Sequence, residues 1–268
     1  MIKFENTEVV GWEHAIRGMR NPMNSWEKSD SGYCETNGPD NCSYCPHVKF
    51  CNASDGDIET KYIIGPNDYD LMKRLRNAGT DHRKFMRMIA VYVDITAPLY
   101  WWKEFDTYKV GTVANSCSTM HKIHNKRFER EDFSIEHMHN FEEEHWMVTM
   151  DNVIASLNVA REKYLETSKH LENDMELDEM LRLQKLKKCY WWQMIQLLPS
   201  SYNQKRTVML NYEVLANIYE SRKNHKLDEW SVGFMEWIES LPYSELICGP
   251  EFLRKKFNVK KGEDSDEI

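Results

Sequence analysis

The residues best suited to chemistry lie between Tyr100 and Thr119. Tyr100, Trp101, Trp102, Lys103, Glu104, Phe105, Asp106, Tyr108 and Lys109 come first. A small polar tract follows: Gly111, Thr112, Asn115, Ser116, Cys117, Ser118 and Thr119. Acid, base, ring and hydroxyl groups crowded just past the end of a strand can build a pocket wall. An amphipathic helix with two core tryptophans and a polar cap is the structural alternative. Cys117 is a candidate nucleophile, because a thiolate attacks electron-poor carbon. A lone cysteine also serves as a small apolar core residue.

Two other groups carry metal or anion chemistry. Cys34, Cys42, Cys45 and Cys51 fall within a loop-like stretch, 34–57, rich in Gly, Pro, Asn and Asp. The Cys-x2-Cys pair at 42 and 45 can grip one tetrahedral ion, and Cys34 and Cys51 can complete its shell, so zinc is expected. Without a metal, a loop of this length is costly to order. Four reduced thiols and an iron–sulfur cluster are the alternatives. Near the start, His14, Arg17 and Arg20 are spaced by three and share one helix face, followed by Asn24-Ser25. This element can hold phosphate or form a solvated face. His121, His124, His137, His139 and His145 lack a ligating pattern and are expected at the surface or in packing.

Regular elements must position these groups. Met88, Ile89, Val91, Val93 and Ile95 mark a strand that ends at Ala97-Pro98, since proline gives a ladder no N–H. Apolar spacing predicts helices over Asp68–Gly79, Asp151–Ser168, Asp178–Leu198, Val208–Lys223 and Leu227–Leu241. Pro199 stops the third of them. The adjacent Trp101 and Trp102 are not expected to face one core together, so one ring is expected against a partner copy or ligand. The sum is an α/β (α+β) fold with a modest central sheet flanked by long helices. Residues 1–257 are expected as one domain with the 34–57 stretch inserted, and 258–268 as a disordered acidic tail.

Composition excludes some classes. With 268 residues, 41% of them apolar, the chain can bury a substantial core. A net charge of −8 and no lysine/arginine block argue against a protein that coats nucleic acid. No apolar run approaches the ~20 residues of a membrane helix, and MIKFENTEVV does not resemble a signal peptide. The cysteine count of seven is odd, and Cys117, Cys189 and Cys248 are scattered, which suits a reducing compartment better than a disulfide framework, so a cytoplasmic location is expected.

One pattern resembles a known family. Leu198-Pro199, then Asn211, Leu215, Asn217, Arg222, His225 and Trp230 are similar to the corresponding run in flavin-dependent thymidylate synthases. The resemblance implies that Asn211 and Asn217 face flavin (FAD), that Arg222 holds the nucleotide (dUMP), and that Ser25 belongs to an early cofactor-binding element. It implies substrate contacts from Glu104, Lys109 and Asn115, chemistry at Cys117 and Ser118, and a homotetramer with sites between copies. The family signature departs here. It reads Arg-His-Arg, two residues, Ser, one, Asn, two, Ser, one, Arg. Aligning Asn115 and Ser118 puts Tyr108, Lys109 and Val110 on Arg-His-Arg, and counting from Ala97-Pro98 puts Thr107, Tyr108 and Lys109 there. Lys109 is the one cation retained. A nucleotide-binding or structural homologue that has lost flavin chemistry is the alternative.

Overall fold

The computed structural model describes residues 2–33, 62–139, 145–250 and 252. Its elements, in order, are β1 (Lys3–Val10), α1 (Trp12–Arg20), β2 (Gly32–Tyr33), β3 (Tyr62–Ile63), α2 (Pro66–Asn77), a 3₁₀ helix (Arg83–Met88), β4 (Ala90–Pro98), α3 (Leu99–Phe105) and β5 (Val113–Ser116). Then come α4 (Trp146–His170), α5 (Leu177–Leu197), β6 (Asn203–Asn211), α6 (Tyr212–Arg222), a π-helix (Glu229–Phe234), α7 (Met235–Ser240) and α8 (Glu245–Cys248). Four strands form a sheet in the order β1-β4-β6-β5, and β2 pairs with β3 antiparallel. The fold is mixed α/β, as the sequence predicts. No helix among the described residues is long and apolar enough to cross a membrane.

The described residues fall into two compact units. The first comprises Met1–Glu5, Asp94–Thr107 and Ala114–Thr207; the second comprises Asn6–Val93, Tyr108–Val113 and Val208–Ile268. In the first unit, Ile154, Leu157 and Ala160 of α4 are buried at helical spacing. They pack with Met194 of α5 and with Ile123, Phe128 and Phe133. Asn158 sits within this stripe and satisfies both the N–H and C=O of Phe128, each at 2.9 Å. In the second unit, Trp12 of α1 meets Tyr212 and Tyr243 edge-on, at 5.2 and 5.3 Å between centroids.

Two expectations change. Val208–Asn211 does not begin a helix; it ends strand β6, in which Val208 and Leu210 are buried on alternate positions. Helix α6 starts after Asn211, whose extended backbone (φ −137°, ψ 165°) and Oδ1, accepting from Val214 N at 3.0 Å, make it the N-cap. Both Trp101 and Trp102 are buried, at 0% and 1% exposure. Successive helical residues diverge by about 100°, so a short embedded helix can bury both. Trp101 stacks on Phe105 at 5.1 Å, while Trp102 donates Nε1 to the Gln204 carbonyl at 2.9 Å. The reason for placing one ring against a partner is therefore gone.

Candidate functional site

Helix α6 and its cap bring together Asn211, Asn217 and Arg222, all within the second unit. Its cap, Asn211, also points Nδ2 toward the Gly111 carbonyl at 3.4 Å. Gly111 has φ +77°, and a Cβ there would meet Asn211 Nδ2 and Val214 Cγ2 at 2.8 Å each. Only glycine lets the 108–113 loop come this near the start of the helix. Asn217 is exposed on α6, and its Oδ1 accepts from Arg83 Nη2 at 2.9 Å. Arg83 also hydrogen-bonds the buried carboxylate of Glu213 at 3.1 Å through Nε.

Arg222, at the C-terminal end of α6, is half-buried. Its Nε donates to Tyr108 Oη at 2.8 Å, and its guanidinium lies 5.0 Å from the Trp230 ring centroid and 5.6 Å from that of Tyr108. Aromatic faces hold a guanidinium in place through their quadrupoles. Trp230 sits on the π-helix, and His225 lies 6.4 Å from it, centroid to centroid. Helical turns of this kind occur frequently at functional sites. Nothing in the periodic pattern of 227–241 signals the extra residue per turn.

A second constellation lies in the first unit and holds the Asn115–Ser118 segment. Arg206 stacks over the Trp102 ring at 4.1 Å, pairs with Asp106 at 2.7 Å, and donates Nε to Gln204 Oε1 at 3.0 Å. Gln204 in turn donates Nε2 to the Cys117 carbonyl at 2.8 Å, and Cys117 N donates to the Lys205 carbonyl at 2.9 Å. The geometry assigns the amide unambiguously: a guanidinium only donates, so the Gln204 atom facing it is oxygen. Sequence reading missed Gln204 and Arg206, because their link to Cys117 spans 87 residues. Replacing Gln204 with leucine should lower stability by about 1–3 kcal/mol, since buried partners lose their hydrogen bonds. Urea unfolding measures this, and the reactivity of Cys117 toward iodoacetamide should rise as its backbone loosens.

A cleft of about 760 Å³ in the second unit is lined by Arg20, Ser25, Lys28, Ser29, Asp30, Asn67 and Arg74 among others. Arg20, one of the cations that could hold phosphate or form a solvated face, already has an acid there. Arg20 donates Nε to Asp68 at 2.6 Å, and both side chains are buried. The remaining Arg20 donors reach the Ser25 and Lys28 carbonyls at 3.2 and 3.1 Å and Ser25 Oγ at 3.4 Å. Asp68 is also held by Ser29 Oγ, Ser31 Oγ and the amides of Asp30 and Ser31. Burial pushes its carboxyl up, but the Ser29, Ser31 and Arg20 hydrogen bonds outweigh that and hold it below the ordinary range.

The sequence-predicted residues thus separate. Arg222, Lys109, Asn211, Asn217 and Ser25 belong to the second unit; Glu104, Asn115, Cys117 and Ser118 belong to the first. Asn115, Cys117 and Ser118 are exposed on or just after β5, as is Lys109 before it. Ser118 Oγ accepts from His121 N at 2.9 Å. Asp106 pairs with Arg206. Among the described cysteines, Cys248 is buried, and burial first, then Glu239, pushes its thiol up to about 12, which leaves it unreactive. Among the described residues no His, Cys, Asp or Glu cluster forms a metal site. Cys34, Cys42, Cys45 and Cys51, and the 258–268 tail, lie outside those residues.

No protein-family model and no curated protein matches this sequence. Solved structures do match. The flavin-dependent thymidylate synthase ThyX from Helicobacter pylori, crystallised with FAD and dUMP, aligns over 92% of this chain and 97% of its own, with a TM-score of 0.55 and 14% identity. A second structure of the same Helicobacter pylori protein, also complexed with FAD and dUMP, aligns to the same extent. The likeness is one of fold.

Proposed function

We propose that this chain is a divergent flavin-dependent thymidylate synthase-like protein that binds a pyrimidine deoxynucleotide of the dUMP type and FAD. The observation that carries the reading is α6: it is capped by Asn211, exposes Asn217 and ends at Arg222 against Tyr108 and Trp230. The shared fold with ThyX, crystallised with FAD and dUMP, supports it. Arg222 is the group for the nucleotide phosphate, because a planar guanidinium offers paired donors to an anion. Lys109 adds a second, exposed cation. The first unit carries its own candidate groups: Asn115, Ser118 and Glu104 for hydrogen bonding to a base, and Cys117 as a nucleophile toward electron-poor carbon.

A flavin fits these residues at Asn217. Its Oδ1 is taken by Arg83, and its Nδ2 makes no hydrogen bond among the described residues, so the exposed amide can serve the acceptor-rich edge of the ring or a phosphate oxygen. When bound, flavin supplies hydride transfer; the chain's own residues bind and orient. A second reading, nucleotide binding without flavin chemistry, draws on Thr107, Tyr108 and Val110, where the family signature has arginine or histidine.

Calorimetric titration of dUMP into the purified protein, with and without FAD, tests the reading. Heat of binding with dUMP, together with flavin absorbance that copurifies with the protein, is expected. Nucleotide binding by a colourless protein that takes up no FAD selects the second reading. No binding of either ligand removes both. Light scattering of the same sample tests the expected oligomer.

A further inference from the structure

We propose that Arg83 is a positioning residue that makes Asn217 a hydrogen-bond donor toward the flavin, so the ligand atom met there must be an acceptor. The proposal rests on the reading that FAD binds at α6. Its physical basis is that a side-chain amide carries a donor and an acceptor at nearly identical positions, and whichever end is bound internally decides which end meets a ligand.

Arg83 leaves Asn217 one choice. A guanidinium has only N–H groups, so the Asn217 atom 2.9 Å from Nη2 is the amide oxygen. Turning the amide by a half-rotation would set its NH₂ against the guanidinium N–H. Arg83 itself is locked. Its Nε lies 3.1 and 3.0 Å from the two carboxylate oxygens of Glu213, whose side chain is only 7% exposed. A buried carboxylate requires its cation, so the guanidinium is not at liberty to swing toward solvent. Glu213 and Asn217 are one helical turn apart on α6, which lets one guanidinium hold both. The 3₁₀ helix carrying Arg83 is anchored from beneath by Phe85 and Met86, at 4% and 0% exposure. The polarity of Asn217 is therefore set before any ligand arrives, and no affinity is lost to reorienting it.

The test is a double-mutant cycle read by FAD binding, followed by fluorescence quenching, with thermal unfolding run in parallel. Arg83→Gln can accept from the Asn217 amide and frees it to rotate. Asn217→Ala removes the amide. Each single change should weaken FAD binding about tenfold, the size of one ordinary hydrogen bond. The double variant should bind no more weakly than Asn217→Ala, because Arg83 acts only through Asn217. Arg83→Lys remains donor-only and charged, so it should stay within about threefold of wild type. Additive losses would mean that Arg83 touches the ligand itself and would overturn the proposal. So would Arg83→Gln, or Asn217→Ala, binding FAD like wild type. If Arg83→Gln does not fold, Asn217→Ala binding FAD like wild type still overturns the proposal, and Arg83→Lys falling far below wild type does so as well. A wild-type protein that takes up no FAD removes the flavin reading as well, whereas wild-type binding with unaffected variants removes only this inference.

Discussion

Replacing Asp68 with alanine should destabilise the protein by about 3–5 kcal/mol, the usual consequence of leaving one partner of a buried ion pair alone. Asp68 is 0% exposed and takes five hydrogen bonds, from Arg20 Nε, Ser29 Oγ, Ser31 Oγ and the amides of Asp30 and Ser31. Without it, Arg20 retains its charge in a site that is 4% exposed. The 25–31 segment, including the candidate cofactor residue Ser25, loses the anchor that ties it to α2. The shift in melting temperature should be about 10 °C for a chain of this size. A pH dependence accompanies it. Because the folded carboxyl titrates below its unfolded value, its stabilisation is complete above about pH 4 and is lost as pH falls through the folded value. Urea midpoints of wild type and variant measured between about pH 7 and pH 3 check both statements. The gap between them should narrow in acid. A variant within about 1 kcal/mol of wild type at neutral pH would show that Arg20 finds another partner.

Removing the Arg222 guanidinium should weaken dUMP binding by about 10- to 100-fold, because a charge-assisted hydrogen bond contributes about 1.5–3 kcal/mol. The fold should survive. The side chain is half-buried; besides the hydrogen bond from Nε to Tyr108 Oη, it makes cation–π contacts to Trp230 and Tyr108 that contribute about 1 kcal/mol. Trp230 remains buried against Phe234, with ring centroids 5.1 Å apart. Arg222→Lys should fall between wild type and Arg222→Ala, since an ammonium keeps the charge but not the planar fork. Calorimetry with dUMP separates the three. Equal affinity in Arg222→Ala and wild type would place the phosphate elsewhere, with Lys109 the next cation to replace.

Local periodicity determined the helices. The apolar spacing around Ile154, Leu157 and Ala160 and the stop at Pro199 are visible in the chain itself, because a helix repeats every 3.6 residues and proline ends it. Asn211 as a cap and Gly111 as a point of close approach emerged only in the structure, since the spacing predicts Asn211 inside a helix over Val208–Lys223. Asn211, Asn217 and Arg222 were readable as one group through the resemblance of the run from Leu198 to Trp230 to flavin-dependent thymidylate synthases. Other features were decided by tertiary structure alone. Val208–Asn211 suits helix and strand alike, and pairing within the sheet made it β6. Charge in the sequence does not say which acid an arginine meets, and partners 48 residues away gave Arg20 to Asp68 and others 130 residues away gave Arg83 to Glu213. The same holds for the Arg206–Gln204–Cys117 chain. Electrostatic and hydrogen-bond pairing depends on distance in space, and residue spacing along the chain constrains that distance only within one helix or strand.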